Sequence, residues 1–547
     1  MPARFSLTMS AAHSTSTYHQ MSFYTLPTVN ITVTLLIALG AACFLKYRSG
    51  LKAVAHFPGM RVPFYPTHFP GAILPTTWWN PGYLFLWNWR HTNYTQFGVD
   101  TFSVVPFIAG SPSFYTANLD VLRQVAGGGH KTSFAKIDSK YDMMRVWGMN
   151  LLSADKEMWR KHRRVVAPAF NPQLYQEVWA KTLQIYQEAL IAEGWNQKKA
   201  VSIPCIQTIT FKVALLIIAQ CGFGFDFGWS DPPRSSSGCM SVQEAFGVVT
   251  NNHLLICFAP KWLLHLPYKR FQEVREAQEE VGNFMKAQVA ERKKLVSLKK
   301  MEIVGNDIFT TLVKANEDEG GKFQLDDSEL IGNVFVMLLA GHETTAHALA
   351  AALGLLSVDQ EIQEEVYQQI LSVCGQDGEP SFEDYEKLDK VQAVFYEAAR
   401  LFPAAHILFR EAWEDTILRI PKAEGQDGTV NIPVPKDTPV IVDMVGVQYN
   451  PRYFEDPTVF KPSRWHGISN DSDAFLAFSI GPRACVGRKF ASFEAVAFLT
   501  SMLRDFSVYP LLSEGETIGN WKARVLDAKL GITLGVKDVP LKLVKRI

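Results

Sequence analysis

The sequence has no net charge: 54 lysines and arginines balance 54 aspartates and glutamates. A balanced chain offers no global attraction for nucleic acid, so any charged docking surface is local. It is also poor in cysteine, with seven scattered residues and no C-x-x-C pair. That excludes a disulfide framework and a thiolate zinc site, and it points to a reducing compartment. No G-x-G-x-x-G follows a strand-like run, so the chain has no nicotinamide or flavin site of its own. No repeat of solenoid length is apparent either. With 47% hydrophobic and 20% charged residues, the chain has ample material for a large core and is not disordered.

Long uncharged runs are almost absent, with one exception. Leu26 to Leu45 carries no formal charge and matches the roughly 20 residues of a helical membrane crossing. Lys46, Arg48 and Lys52 follow it, whereas Arg4 is the only basic lysine or arginine before it. The positive-inside rule then puts the rest of the chain in the cytosol, and a single-pass protein of the endoplasmic reticulum membrane is the expectation that follows if this helix is an anchor. The chain divides into a short luminal segment (residues 1–25), an anchor (26–45), a basic and then proline-rich linker (46–82) and one catalytic domain (83–547). Three sequons, at Asn30, Asn93 and Asn470, are expected to remain unmodified in that topology.

Helical patterns dominate the domain. Helices are expected over Asn171 to Gly194, Val242 to Leu264 and Gln272 to Lys294. The most apolar one runs from Asp327 to Leu356, with Asp326 or Asp327 as its cap and Asp359 beyond its end. Short strands are expected over Thr416 to Ile420, Thr429 to Ile432 and Pro439 to Val442. The fold class is therefore mainly α, an α+β domain with small sheets.

Near the C-terminus lies Phe478-Ser-Ile-Gly481-Pro-Arg483-Ala-Cys485-Val-Gly487-Arg488, which fits F-x-x-G-x-R-x-C-x-G. Glycines at 481 and 487 permit close approach of a flat group to the cysteine. A helix beginning just after Cys485 would aim N–H groups at the sulfur. Upstream are Glu397-Ala-Ala-Arg400, then Phe460-Lys-Pro-Ser-Arg464-Trp465. Ala340-Gly341-His342-Glu343-Thr344 interrupts the apolar helix, and Trp159-Arg-Lys-His-Arg163 sets two donors at i, i+4. His342 and His347 lie five apart, the wrong spacing for two metal ligands on one helical face.

In the order and separation of these motifs the chain resembles the cytochrome P450 family. The resemblance implies the cytochrome P450 fold and haem b, iron protoporphyrin IX, with Cys485 as the axial thiolate ligand. Phe478, Gly481 and Gly487 then shape the cofactor loop. Trp159, Arg163, Arg410 and Arg483 bind the haem propionates, and Glu397, Arg400 and Arg464 form a buried structural triad. The family often has phenylalanine where this chain has Trp465. Thr344 and Glu343 become the catalytic hydroxyl and proton-relay acid, because oxygen activation consumes two protons.

The implied activity is monooxygenation of an apolar small molecule, such as a terpenoid, another secondary metabolite or a lipid. Electrons would come from NADPH through NADPH–cytochrome P450 reductase, with a b-type cytochrome as a second donor. Arg160, Lys161, Arg164, Arg488 and Lys489 are the candidate docking face. The alternative is a haem-thiolate isomerase or dehydratase acting on peroxides, against which the acid–threonine pair argues. Substrate-facing residues are expected around Phe134, from Phe335 to Ala340 and from Ala404 to Leu408.

Overall fold

The computed structural model describes residues 25–546 apart from 129–131, 139–141, 226, 231–239, 253–254, 257–260, 298–306, 320–322, 377, 423–427 and 469–475. Its N-terminal apolar run forms one helix, Thr25–Ala53. Leu35, Ile37 and Leu45 on it are each more than 60% exposed, so this stretch buries nothing within the chain. The last turns behave differently. Gly50 is buried, and a Cβ there would meet Val105 Cγ1 at 2.7 Å, while Lys46 Nζ donates to the Ile108 carbonyl at 3.1 Å. The helix therefore runs past Lys46 and docks its end on a sheet.

That sheet has six strands in the spatial order Gly59–Phe64, Thr101–Ala109, Ser113–Thr116, Pro439–Asp443, Ile407–Ala412 and Phe134–Ala135. Gly59–Phe64 pairs in parallel with Thr101–Ala109, so the proline-rich stretch expected as a connector supplies an edge strand. Two hairpins follow late in the chain: Thr416–Pro421 with Thr429–Val434, and Ala528–Leu530 with Leu534–Val536. A separate three-stranded sheet places Leu541–Lys545 between Phe506–Pro510 and Ala200–Ile203.

The bulk is helical. Pro172–Ala192 and Lys269–Ser297 form where the apolar periodicity predicts them. The stretch from Val242 gives a helix that ends at Asn251, and residues 253–254 and 257–260 of the expected longer helix lie outside the described residues. The central helix, Asp327–Val358, begins with a capping box: Asp326 accepts from the Glu329 amide, and Glu329 accepts from the Asp326 amide. By composition this helix also qualifies as a membrane span, but 78% of its most apolar window is buried. It is instead the core of the domain, packed against Gln207–Ile217 and Asp389–Leu401. Leu349, Leu353 and Leu356 are fully buried, each contributing about 1.5–3 kcal/mol through burial.

Candidate functional site

The cysteine loop leaves the turn Leu476–Phe478 through two left-handed residues, Ser479 (φ 62°) and Gly481 (φ 71°). A Cβ on Gly481 would come within 3.0 Å of the Gly127 backbone. Glycine is thus required at 481 by conformation and by a neighbouring chain segment, a different reason from the close approach of a cofactor. The Cys485 amide donates to the Phe478 carbonyl at 2.9 Å and closes the loop. The following helix is Arg488–Asp505, two residues later than expected, because Val486 and Gly487 complete a turn. That turn brings the Gly487 amide onto the Cys485 sulfur.

Burial pushes the Cys485 thiol up, while the Gly487 amide, Arg163 and Arg488 favour the thiolate. Cys485 is exposed by area yet closely surrounded by the fold, so it lines an internal surface. Ala340 and Ala405, on the central helix and after the Glu397–Arg400 helix, are likewise exposed although their elements are core elements.

The basic residues gather beside this loop. Asp155 caps the helix Lys156–Val166, which carries Trp159 and Arg163. The Arg483 guanidinium lies over the Trp159 ring at 4.7 Å, donates to the Ala154 carbonyl at 3.1 Å and pairs with Asp155. Arg163 donates to the Ala484 carbonyl at 3.4 Å. Arg410 is buried, with a bond to its neighbour's carbonyl, Phe409, at 2.8 Å.

Lys136, which no motif pointed to, belongs to the same group. It is buried, its amine donates to the Leu152 carbonyl, and burial with nearby Arg483 and Arg410 holds it well below the usual lysine range. Asp155 is the one carboxylate that opposes this shift at Lys136. This gathering of buried and half-buried cations suits an anionic group. The two propionates of haem would supply that charge and Cys485 would offer the sulfur, so the residues present fit the cofactor.

Behind the loop, Glu397 and Arg400 are fully buried. Arg400 clasps Glu397 with two bonds of 2.8 Å and donates to the Gln448 and Pro457 carbonyls, also at 2.8 Å. Arg464 Nε adds a bond to Glu397 at 3.1 Å. The structure therefore brings these three residues together, and it gives the tryptophan a purpose: Trp465 Nε1 donates to Glu397 at 2.8 Å. Phenylalanine could not do so.

On the central helix, the Thr344 hydroxyl donates to the Ala340 carbonyl at 2.8 Å and the helix is unbroken there. A Cβ on Gly341 would meet Ile218 at 2.9 Å, so helix packing alone requires this glycine. His342 and His347 are buried or nearly so against Phe211, and burial lowers both, His347 to about 4. Among the described residues no cluster of histidine, cysteine and acidic side chains is placed to hold a metal ion. Glu343 is buried and turns toward the hairpin Ala528–Val536. Its Oε1 accepts from the Thr533 amide at 3.2 Å and from the Thr533 hydroxyl at 2.9 Å, while Oε2 has no partner. Burial pushes this carboxyl up and the Thr533 donors pull it back.

Of the candidate docking cations, Arg160 pairs with Glu157 at 2.7 Å and Lys161 with Glu329 at 2.6 Å. Both are already engaged within the chain. Asn93 is fully buried, which closes that sequon to any transferase acting on the folded domain, and Asn470 lies outside the described residues.

Residues 74–533 match the family model described as Cytochrome P450. The chain is 34% identical over 520 residues to "Cytochrome P450 monooxygenase 124" of Postia placenta, covering 93% of this chain and 98% of that protein. It is 27% identical to "Cytochrome P450 monooxygenase prx9" of Penicillium rubens, over 79% of this chain and 80% of the other. In three dimensions it is similar to the structure titled "Crystal structure of cytochrome P450DA heme domain", with a TM-score of 0.67 at 18% identity, covering 90% of this chain and 99% of that one. The last likeness concerns the fold alone.

Proposed function

This chain belongs to the cytochrome P450 family and is a haem-thiolate monooxygenase, and on that premise we propose that it oxidises an apolar small molecule at a membrane surface. The observation that carries the substrate class is the character of the segment Ala404–Leu408. Its one polar side chain, His406, is buried against Tyr83, and burial lowers it to about 4, so it stays neutral. Alanines 340 and 405 remain as the accessible side chains of these stretches. A terpenoid, another apolar secondary metabolite or a lipid suits such a lining.

The bound haem, ligated by sulfur, supplies the oxygen chemistry. The protein's share is to hold and to deliver protons. Lys136, Trp159, Arg163, Arg410 and Arg483 would hold the two propionate carboxylates of the cofactor. The Thr344 hydroxyl, now bonded to the Ala340 carbonyl, holds a proton near the reacting centre. Glu343 relays the next one from outside.

The membrane reading rests on the exposed apolar helix and on Phe69, Ile73 and Trp78, which are 79%, 75% and 93% exposed. They form a surface suited to lipid. We place the chain in the endoplasmic reticulum membrane with the domain on the cytosolic side, where an NADPH–cytochrome P450 reductase delivers electrons and a b-type cytochrome can assist.

Co-expression with a reductase, followed by product analysis across a terpenoid and lipid panel, tests the substrate class. Conversion confined to polar, charged compounds would overturn it. Cys485→Ala should abolish the carbon monoxide band of ferrous haem-thiolate, whereas Cys205→Ala should keep it; a normal band without Cys485 removes its role as ligand.

A further inference from the structure

The hairpin Ala528–Leu530 with Leu534–Val536 is pinned to the domain at three points. At its turn, both donors of Thr533 meet one oxygen of Glu343, at 3.2 and 2.9 Å. One residue on, the Leu534 amide donates to the Ala404 carbonyl at 3.0 Å, tying the turn to the segment after the Glu397–Arg400 helix. Next, Gly535 lies so close to the His347 ring that any side chain there would overlap it. A hairpin held this way cannot slip by a residue, since a slip would reverse which side chains face the helix.

The chemistry at Glu343 is asymmetric as a result. A carboxylic acid has one carbonyl oxygen and one hydroxyl oxygen. The Thr533 amide can only donate, so Oε1 serves as the carbonyl oxygen that accepts it, and the Thr533 hydroxyl, free to donate or accept, donates to the same oxygen. When the acid holds its proton in this arrangement, the proton sits on Oε2, a buried oxygen with no partner among the described residues.

We infer that Thr533 is a positioning residue for proton delivery: by occupying Oε1 of Glu343 from the hairpin, it fixes the transferable proton on Oε2. The inference rests on reading Glu343 as the relay acid and adds a residue that no local motif marks. Burial raises Glu343 and only the Thr533 donors oppose it. Lys529 of the same hairpin and His342 of the same helix act on His347 one turn away. The hydroxyl thus also favours release of the proton once Oε2 has a base to receive it.

The test uses the full chain with bound haem and compares Thr533→Val, Thr533→Ser and Glu343→Gln. The first readout needs no turnover. The infrared band of protonated Glu343, identified by its loss in Glu343→Gln, should move to higher frequency in Thr533→Val, because its carbonyl loses a donor. It should also persist to a pH about one unit higher. Thr533→Ser should restore both. The second readout is the fraction of NADPH electrons recovered in product, which should fall about fivefold in Thr533→Val with the carbon monoxide band intact. If valine costs the fold its haem, Thr533→Ala removes the same hydroxyl with less bulk.

An unmoved infrared band in the valine or alanine variant overturns the positioning role. A band that moves while Glu343→Gln keeps full coupling overturns the relay reading and, with it, any part of Thr533 in proton delivery, leaving only its hold on the Glu343 carboxyl, so the two failures are distinguishable.

Discussion

Two buried glutamates, one on the helix Asp389–Leu401 and one on the central helix, are treated in opposite ways. Glu397, behind the loop, receives Arg400 twice, Arg464, the Trp465 indole and the Lys461 amide. Among the described residues, Glu343, on the central helix, receives Thr533 alone, and on one oxygen. Complete pairing engages both oxygens of the first carboxylate with fixed donors; incomplete pairing leaves one oxygen of the second open. The first region is built to hold a loop still. The second keeps a polar atom in reserve, at a cost in stability of about 1–3 kcal/mol for an unsatisfied group. Glu494 complicates this contrast, because it lies in the cysteine helix, is fully buried and has both oxygens without a partner.

The contrast can be broken most forcefully at Arg400. Arg400→Ala leaves the Glu397 charge buried with fewer donors and should cost about 3–5 kcal/mol, seen as a large drop in thermal midpoint and in recovered haem protein. A midpoint near that of the wild type would mean that full pairing is not what holds the loop. Thr344→Ala should do the reverse, leaving the midpoint and the carbon monoxide band in place while product per NADPH falls about tenfold as electrons turn to hydrogen peroxide. Equal coupling in that variant would take the proton function away from this side of the site.

Glu494 gives an intermediate effect that depends on pH. Burial pushes its carboxyl well above the ordinary range. An unfolded glutamate ionises near pH ~4.3, so above that the folded chain keeps a proton the unfolded chain has released. Stability therefore falls as pH rises from the unfolded pKa, and it stops falling only when the folded Glu494 itself ionises. Glu494→Gln has no such titration. Its thermal midpoint relative to wild type should increase from pH 5 to pH 8, and a constant difference would show that Glu494 has acquired a partner. Trp465→Phe should be the mildest change, about 1 kcal/mol or slightly more for one lost bond to a charged acceptor, read from the thermal midpoint at fixed pH.

What the sequence could reveal follows from how local each signal is. The central helix is legible because aspartates stand at its start and its apolar residues continue on both sides of the Gly341–Thr345 interruption. Glu397 and Arg400 are legible for the same reason, and Trp465 nearly so, since it adjoins Arg464. Lys136 is not, because a lone lysine next to a two-residue strand has no periodicity to distinguish it. Thr533 is farther still from notice: its partner lies 190 residues earlier and the link exists only once the hairpin lands on the helix. Gly481, expected to make room for a flat group, also faces the Gly127 backbone, and Gly341 faces Ile218. A sequence shows that a side chain is missing, and only packing shows what would have been hit.

The position of Leu541–Lys545 in the middle of its sheet bears on how the protein is made. Ala200–Ile203 has its edge completed by a strand that leaves the ribosome only after almost all of the intervening chain has been synthesised. Contacts this distant in sequence close slowly and cannot form while the nascent polypeptide is still growing. The apolar helix emerges first and can be inserted long before the domain is finished. The growing chain therefore carries an unpaired strand edge and open core helices for most of its synthesis. Chaperones that shield exposed β-edges during synthesis would matter more to the yield of this enzyme than those acting on the released chain.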